Sequence, residues 1–233
     1  MKIRILSLLL AISSVFSLKA DEGMWPLTLL SKMQDKMQAR GLTLSAEDIY
    51  SINNASVKDA IVRLMSNGRM FCSGEIISDK GMFLTNHHCG YDAIQSLSTP
   101  QDNILSNGFW ASSMAEERPA QFQIGLLRKI EDVTSKVLEG TAINGEEKER
   151  SKAVAENLKA LQNALYEALG DEKSNYQIDI AEFSNGNQFL AMYYEVYRDI
   201  RLVGTPPENI GKFGGETDNW RWPRHTCDFS MFR

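Results

Sequence analysis

Histidine and cysteine are scarce in this sequence, three of each, and the scarcity narrows the chemistry. No C-x-x-C and no H-x-x-x-H pair occurs, so the spacings that metal sites favour are missing. No glycine loop cradles a phosphate either: Gly211-Lys212-Phe213-Gly214-Gly215 lacks the required spacing. Internal repeats and low-complexity tracts are absent. Basic charge is not in excess. A formal net charge of −5 and a pI near 5.3 argue against nucleic acid and against an anionic membrane surface as partners.

What is present describes a soluble globular chain: 233 residues, 43% hydrophobic and 24% charged, enough for a substantial core. Residues 1–20 have the anatomy of a signal peptide. Lys2 and Arg4 supply a positive start, Ile5 to Leu18 is apolar but short for a bilayer, and Ala20 offers a small residue at a cleavage point before Asp21. The expected mature chain is therefore 21–233, without a membrane span, exported to the periplasm or cell surface of a bacterium.

Along that chain, Leu30, Met33 and Met37 mark a helical stripe within Glu22–Arg40, with Gly41 as its end. Ser56–Leu64 reads as a short helix or a strand, and the pattern does not decide. Asp92–Leu97 reads as helix, whereas Thr99–Pro119 is polar and irregular. The clearest helix is Glu146–Leu169, where Val154, Leu158, Leu161, Leu165 and Leu169 recur every three or four residues before Gly170. It is expected to pack on its own domain. Gln188–Val203 reads as one long or two shorter strands, stopped by Pro206-Pro207. Strands flanked by helices without regular βαβ alternation point to a β-barrel carrying helical additions.

One stretch organises the rest, Phe71–Tyr91. Two apolar runs, Phe71–Ser78 and Met82–Thr85, flank Asp79-Lys80-Gly81 and predict a β-hairpin. Cys72 and Cys89 sit near its two ends, with His87-His88 directly before the second. In an exported protein a disulfide there would tie the first strand to the loop leaving the second, and would fix the backbone carrying His88. Three readings of these residues stand side by side: a zinc site of histidines and cysteines, structural histidines beside a disulfide, or a general base held just past a strand end.

The segment Cys72-Ser73-Gly74, an apolar strand, then Thr85-Asn86-His87-His88-Cys89 resembles the surroundings of the catalytic histidine in trypsin-like serine peptidases, disulfide included. Further motifs sharpen this: GMWPL near the mature start, TNHHCGYDAIQSLST, RKIEDVT at 128–134, and GKFGGETDNWRWPRHTCDFSMFR. Together they resemble the bacterial dipeptidyl-peptidase family that includes dipeptidyl-peptidases 7 and 11. The resemblance covers essentially all of the mature chain.

It implies a mainly β fold with helical additions. This would be a trypsin-like first barrel of a double barrel, with an N-terminal helix and an inserted amphipathic helix. It further implies an exported serine exopeptidase that needs no cofactor or metal, acts on peptides with a free N-terminus, and forms a homodimer at full length. His88 falls on the family's catalytic histidine and Asp228 on its aspartate. Asn219 and Trp220 fall on the pair that holds the substrate's amino end. The chain departs from the family at Glu216, usually Asp, and at Cys227, usually Gly. The family's nucleophilic serine lies far downstream, so the expectation is an N-terminal portion of a longer enzyme, inactive alone. Such a piece should also expose a large apolar patch, including part of the strand ending at Phe232. The rivals are an exported, non-catalytic peptide-binding remnant and a zinc-binding protein.

Overall fold

The structure is a computed structural model, and it describes residues 26–141, 146–211 and 229–233. The signal sequence expected at 1–20 lies outside them. The chain divides into two compact units, Met1–Leu42 and Thr43–Arg233. In the first, a 3-10 turn at Leu27–Leu29 leads into the helix Leu30–Gln38, shorter than the expected Glu22–Arg40. Its end is closed where the Gly41 N–H donates to the Gln38 carbonyl (2.9 Å) and the Leu42 N–H to that of Met37 (3.1 Å).

In the second unit, Ser56 and Asp59 form a capping box over the turn Val57–Ala60, which launches β1 (Ile61–Ser66). The ambiguous Ser56–Leu64 is thus a turn followed by a strand. Asn67 and Gly68, both at positive φ, make a two-residue turn into β2 (Arg69–Ile76). Asn-Gly between apolar runs is a strong hairpin signal because both positions need left-handed backbone. The expected second hairpin follows: β2 pairs antiparallel with β3 (Phe83–Thr85), Ile76 opposite Phe83 and Gly74 opposite Thr85.

The remaining strands are β4 (Phe109–Trp110), β5 (Arg118–Ala120), β6 (Gln123–Asp132), β7 (Tyr176–Phe183), β8 (Gln188–Tyr197), β9 (Ile200–Thr205) and β10 (Ser230–Phe232). Thr99–Pro119 is therefore less irregular than expected. It holds the short helix Ile104–Asn107, β4 and the start of β5, because Ile104 and Leu105 are buried. Gln188–Val203 is two strands, broken at Arg198-Asp199, and β9 ends just before Pro206.

Among the described residues the strands form one antiparallel sheet in the order β4-β9-β10-β3-β2-β1-β6-β8-β7, with β5 also on β9. Only Gln121 and Phe122 separate β5 from β6. One stretch of chain thus pairs with β9 at its start (Ala120 opposite Ile200) and with β1 further on (Leu126 opposite Val62). That closes the ring β1-β2-β3-β10-β9-β5/β6 into a barrel. Val62, Leu64, Phe83, Ile124, Leu202 and Phe232 fill it, joined by Ile94 from the helix His87–Leu97.

Of the strand expected to lie partly in an exposed patch, Phe232 and Ser230 are fully buried and Met231 half-buried. The Phe232 ring stacks on Phe83 (centroids 5.7 Å apart) and meets Phe122 edge-on at 5.1 Å, because β10 inserts between β3 and β9. Burying a side chain of that size contributes about 1.5–3 kcal/mol.

Beyond the barrel the sheet extends as β6, β8 and β7, with β8 in the middle. The helix Glu147–Ala168 covers it, close to the expected span. Leu165 is buried there with Ile178, Phe189 and Tyr193, and Val154, Leu158 and Leu161 pack alongside. The amphipathic helix does pack on its own domain.

Candidate active site

β3 delivers its end to the first turn of a helix. Asn86 stays extended as the N-cap (φ −65°, ψ 145°), and His87 and His88 open the helix His87–Leu97. Cys89 therefore lies in a helix, not in the loop expected after the strand, and the helix starts well before Asp92. The consequence is geometric. Neighbours on a helix point about 100° apart, so one of two adjacent histidines turns inward and the other outward.

His87 is the inward one, 1% exposed. Its Nδ1 lies 3.1 Å from the Thr205 hydroxyl and 3.1 Å from that of Ser230, and the two hydroxyls are 3.1 Å apart. Thr205 and Ser230 are fully buried. Beside the ring, Tyr91 stands edge-on with centroids 6.3 Å apart, and its hydroxyl reaches Glu208 Oε1 at 3.4 Å.

His88 is the outward one. It sits exposed at the rim of a groove of about 550 Å³ that Met70, Phe71, Asp92 and the Cys72–Cys89 pair also line. The expected disulfide joins those cysteines, with a Cα–Cα distance of 6.0 Å. It ties β2 to the first helical turn. The residue before His88 is thus anchored in the core and the residue after it is bonded to the sheet. An exposed imidazole on so fixed a backbone can exchange a proton with a molecule in the groove.

Cys72, His88 and Cys89 bring their ligand atoms within 4.8 Å of one another. The two sulfurs are bonded together, however, and a metal binds thiolates. As disulfide, the set offers one imidazole; zinc would need the reduced pair.

Asp228, Asn219 and Trp220 lie outside the described residues, as do His225 and Cys227. Their neighbours are placed. Ser230 opens β10, and Phe229 packs against Trp110 with ring centroids 6.2 Å apart. Trp110 lies flat on Gly204, where an added Cβ would fall 2.2 Å from its ring. Sequence reasoning missed Thr205 and Ser230. A lone Thr and a lone Ser carry no pattern, and only the fold brings them to His87.

Residues 20–233 match the family model described as peptidase S46. The chain belongs to the peptidase S46 family. Over 218 residues it is 44% identical to a dipeptidyl-peptidase 7 of Capnocytophaga gingivalis, covering 93% of this chain and 29% of that protein. Over 230 residues it is 44% identical to an Asp/Glu-specific dipeptidyl-peptidase of the same organism, covering 98% of this chain and 31% of that one. Among solved structures it superposes on DPP11 of Porphyromonas endodontalis in complex with the dipeptide Arg-Asp. The TM-score is 0.76 at 37% identity, over 92% of this chain and 30% of that one. The S46 chain thus spans about 30% of the length of the relatives it matches. The barrel with its helical additions is the fold shared with that solved peptidase. Among the described residues no helix is long and apolar enough to cross a membrane.

Proposed function

We propose that this S46 chain supplies the base-bearing part of an exported serine dipeptidyl-peptidase. The observation that carries the reading is His88, exposed beside a groove while His87 and Cys89 are fixed on either side of it. A general base tolerates little misplacement, and this backbone is held from both directions. In the reaction, His88 takes the proton of a serine hydroxyl contributed by sequence beyond Arg233. The serine oxygen attacks the carbonyl of the substrate's second residue. His88 then returns the proton to the departing amine, leaving an acyl-enzyme that water hydrolyses by the same route. Asp228 holds the imidazole tautomer and stabilises its charged form.

Asn219 and Trp220 take the substrate's free α-ammonium, the amide oxygen accepting its hydrogen bonds and the indole face attracting its charge. That recognition is what sets the cut two residues from the end. Side-chain preference is a separate matter. The chain is equally similar to a dipeptidyl-peptidase 7 and to a protein named for Asp/Glu specificity, so we assign that pocket to segments outside this sequence.

The experiment is dipeptide release by the complete gene product from a peptide with a free N-terminus and from its N-acetylated twin. Release from the first and not the second supports the reading. Equal cleavage of both overturns the amine-recognition role. Residues 21–233 alone should release nothing, since a base without its nucleophile retains little of what a triad provides. Serine-inhibitor-sensitive release from that fragment would contradict the assignment.

A further inference from the structure

Asn-Gly is the pair most prone to spontaneous succinimide formation, because glycine leaves its nitrogen unshielded. The sequence holds the pair four times, and the fold does not treat the copies alike. At Asn107-Gly108 the glycine N–H donates to the Ile104 carbonyl (2.9 Å), and an added Cβ would lie 2.9 Å from Pro207 Cδ. That nitrogen is both bonded and packed in. At Asn185-Gly186 a Glu182 carboxylate oxygen lies 3.5 Å from where a Cβ would stand, and its charge opposes the amide anion that must form. Asn67-Gly68 has neither guard. Both residues are exposed, and an added Cβ on Gly68 would meet nothing within 4 Å. Among the described residues, neither the Asn67 side chain nor the Gly68 N–H has a hydrogen-bond partner.

What the pair has instead is a latch on its carbonyl. Gln177 Nε2, from β7 and 109 residues away in sequence, donates to the Gly68 oxygen at 2.8 Å. Asn67 (φ 50°) and Gly68 (φ 73°) form the turn between β1 and β2, with Ser66 opposite Arg69. In a turn of this kind Asn67 Cβ and Gly68 N point to opposite sides of the Cα–C bond, so a five-membered ring cannot close until the turn opens.

We propose that Asn67 is a modification site gated by Gln177, at which Gly68 N attacks the Asn67 side-chain carbonyl carbon once the turn opens. The new C–N bond closes a succinimide, and the side-chain nitrogen leaves as ammonia with the proton of the Gly68 amide. Water then opens the ring. Addition at the side-chain carbonyl gives aspartate; addition at the main-chain carbonyl gives isoaspartate, with one methylene more in the backbone. A two-residue turn has no room for it, because the turn fixes the register of the ladder. Ser66 and Arg69 lose their opposition, and Arg69, Met70, Phe71 and Cys72 are the residues of β2 that wall the groove beside His88. The chemistry at Asn67 is independent of the dipeptidyl-peptidase reading.

The test holds the complete gene product in mildly alkaline buffer and follows each Asn-Gly peptide by mass spectrometry, with electron-transfer fragmentation separating aspartate from isoaspartate. The peptide carrying Asn67 should gain one mass unit ahead of that carrying Asn185, while Asn107 keeps its amide. Gln177→Ala should speed conversion at Asn67 roughly 2- to 10-fold, the change in open population that one lost hydrogen bond gives, and leave Asn185 unmoved. Gln177→Met keeps the length of the side chain without its donor, so it should do the same even if the alanine disturbs β7. Hydrogen exchange at Ser66 and Arg69 should be faster in the isoaspartyl fraction than in Asn67→Asp, which carries the charge without the methylene. Asn67 still an amide when Asn107 has converted, an Asn67 rate unchanged in both Gln177 variants, or equal exchange in those two proteins overturns the proposal.

Discussion

The barrel and the helix-covered extension share β6 but are held together differently. The extension is local only at its hairpin, for β8 also pairs with β6, Asp132 opposite Leu190. β7 and β8 form one hairpin, its ladder running from Tyr176 opposite Glu195 to Phe183 opposite Gln188, and the covering helix immediately precedes it. Its polar support comes from partly exposed ion pairs, such as Lys129 and Lys136 on Glu131 at 2.9 and 3.2 Å. The barrel is closed by contacts distant in sequence. His87 meets Ser230, the disulfide links β2 to a helix, and Glu117, 3% exposed in its side chain, receives Arg233 at 2.8 Å. The proposed site sits in the region that needs closure, because the base, orienter and substrate clamp assigned to it come from separate parts of the chain.

Breaking the two regions should show the contrast in energy. Phe83→Ala empties the centre of the barrel, where the ring is fully buried against Phe232. It should cost about 3–5 kcal/mol in urea denaturation. Removing the disulfide with Cys72→Ser and Cys89→Ser should cost about 3 kcal/mol, from a loop with a sequence separation of 17. Leu165→Ala cuts the one buried residue of the helical stripe and should cost about 2 kcal/mol, with turnover per folded molecule unchanged. A Leu165→Ala loss as large as that of Phe83→Ala would show the two cores to be equally demanding.

Acid and alkali should sharpen the same contrast. Hydrogen bonding to Lys129, and then to Lys136, holds the Glu131 carboxyl below its ordinary range despite some burial, and the Thr134 hydroxyl and N–H do so for Asp132. Both are depressed carboxylates, so their contribution is present above about pH 4 and is lost as the pH falls through their folded values. Urea midpoints should drop more steeply on acidification for the wild type than for Glu131→Gln. Burial, with Glu131 alongside, pushes the Tyr193 hydroxyl up to about 12. A raised pKa contributes stability below about pH 10 that is lost on the way to about 12, and absorbance titration should show one late tyrosine missing in Tyr193→Phe. The smallest effect belongs to the Lys152–Glu156 pair, 4.0 Å apart and largely solvated, where Lys152→Ala should change stability by less than about 0.5 kcal/mol.

This division also explains what was legible in the sequence. The helix of Leu158, Leu161 and Leu165 and the hairpin at Asp79-Lys80-Gly81 are written in local period and turn chemistry, and both form. Asn67-Gly68 carried an equally local signal that the reading passed over. β6 drew no strand assignment because its outer residues Arg128, Lys129, Glu131 and Asp132 break the apolar run, and only pairing on β1 and β8 explains them. His88 and the disulfide were readable as motif. That His87 points inward was not, because it depends on the helix starting at His87 and on Thr205 and Ser230 closing over the ring.

His88 is proposed as the base of a dipeptide-releasing site, and His87 as a buried neighbour with a structural role. The direct measurement is dipeptide release by the complete gene product carrying His88→Ala, beside His87→Asn, each corrected for its folded fraction. The expected result is a loss of several orders of magnitude for His88→Ala and near wild-type turnover for His87→Asn. Wild-type turnover in His88→Ala, with activity abolished in His87→Asn, would contradict it.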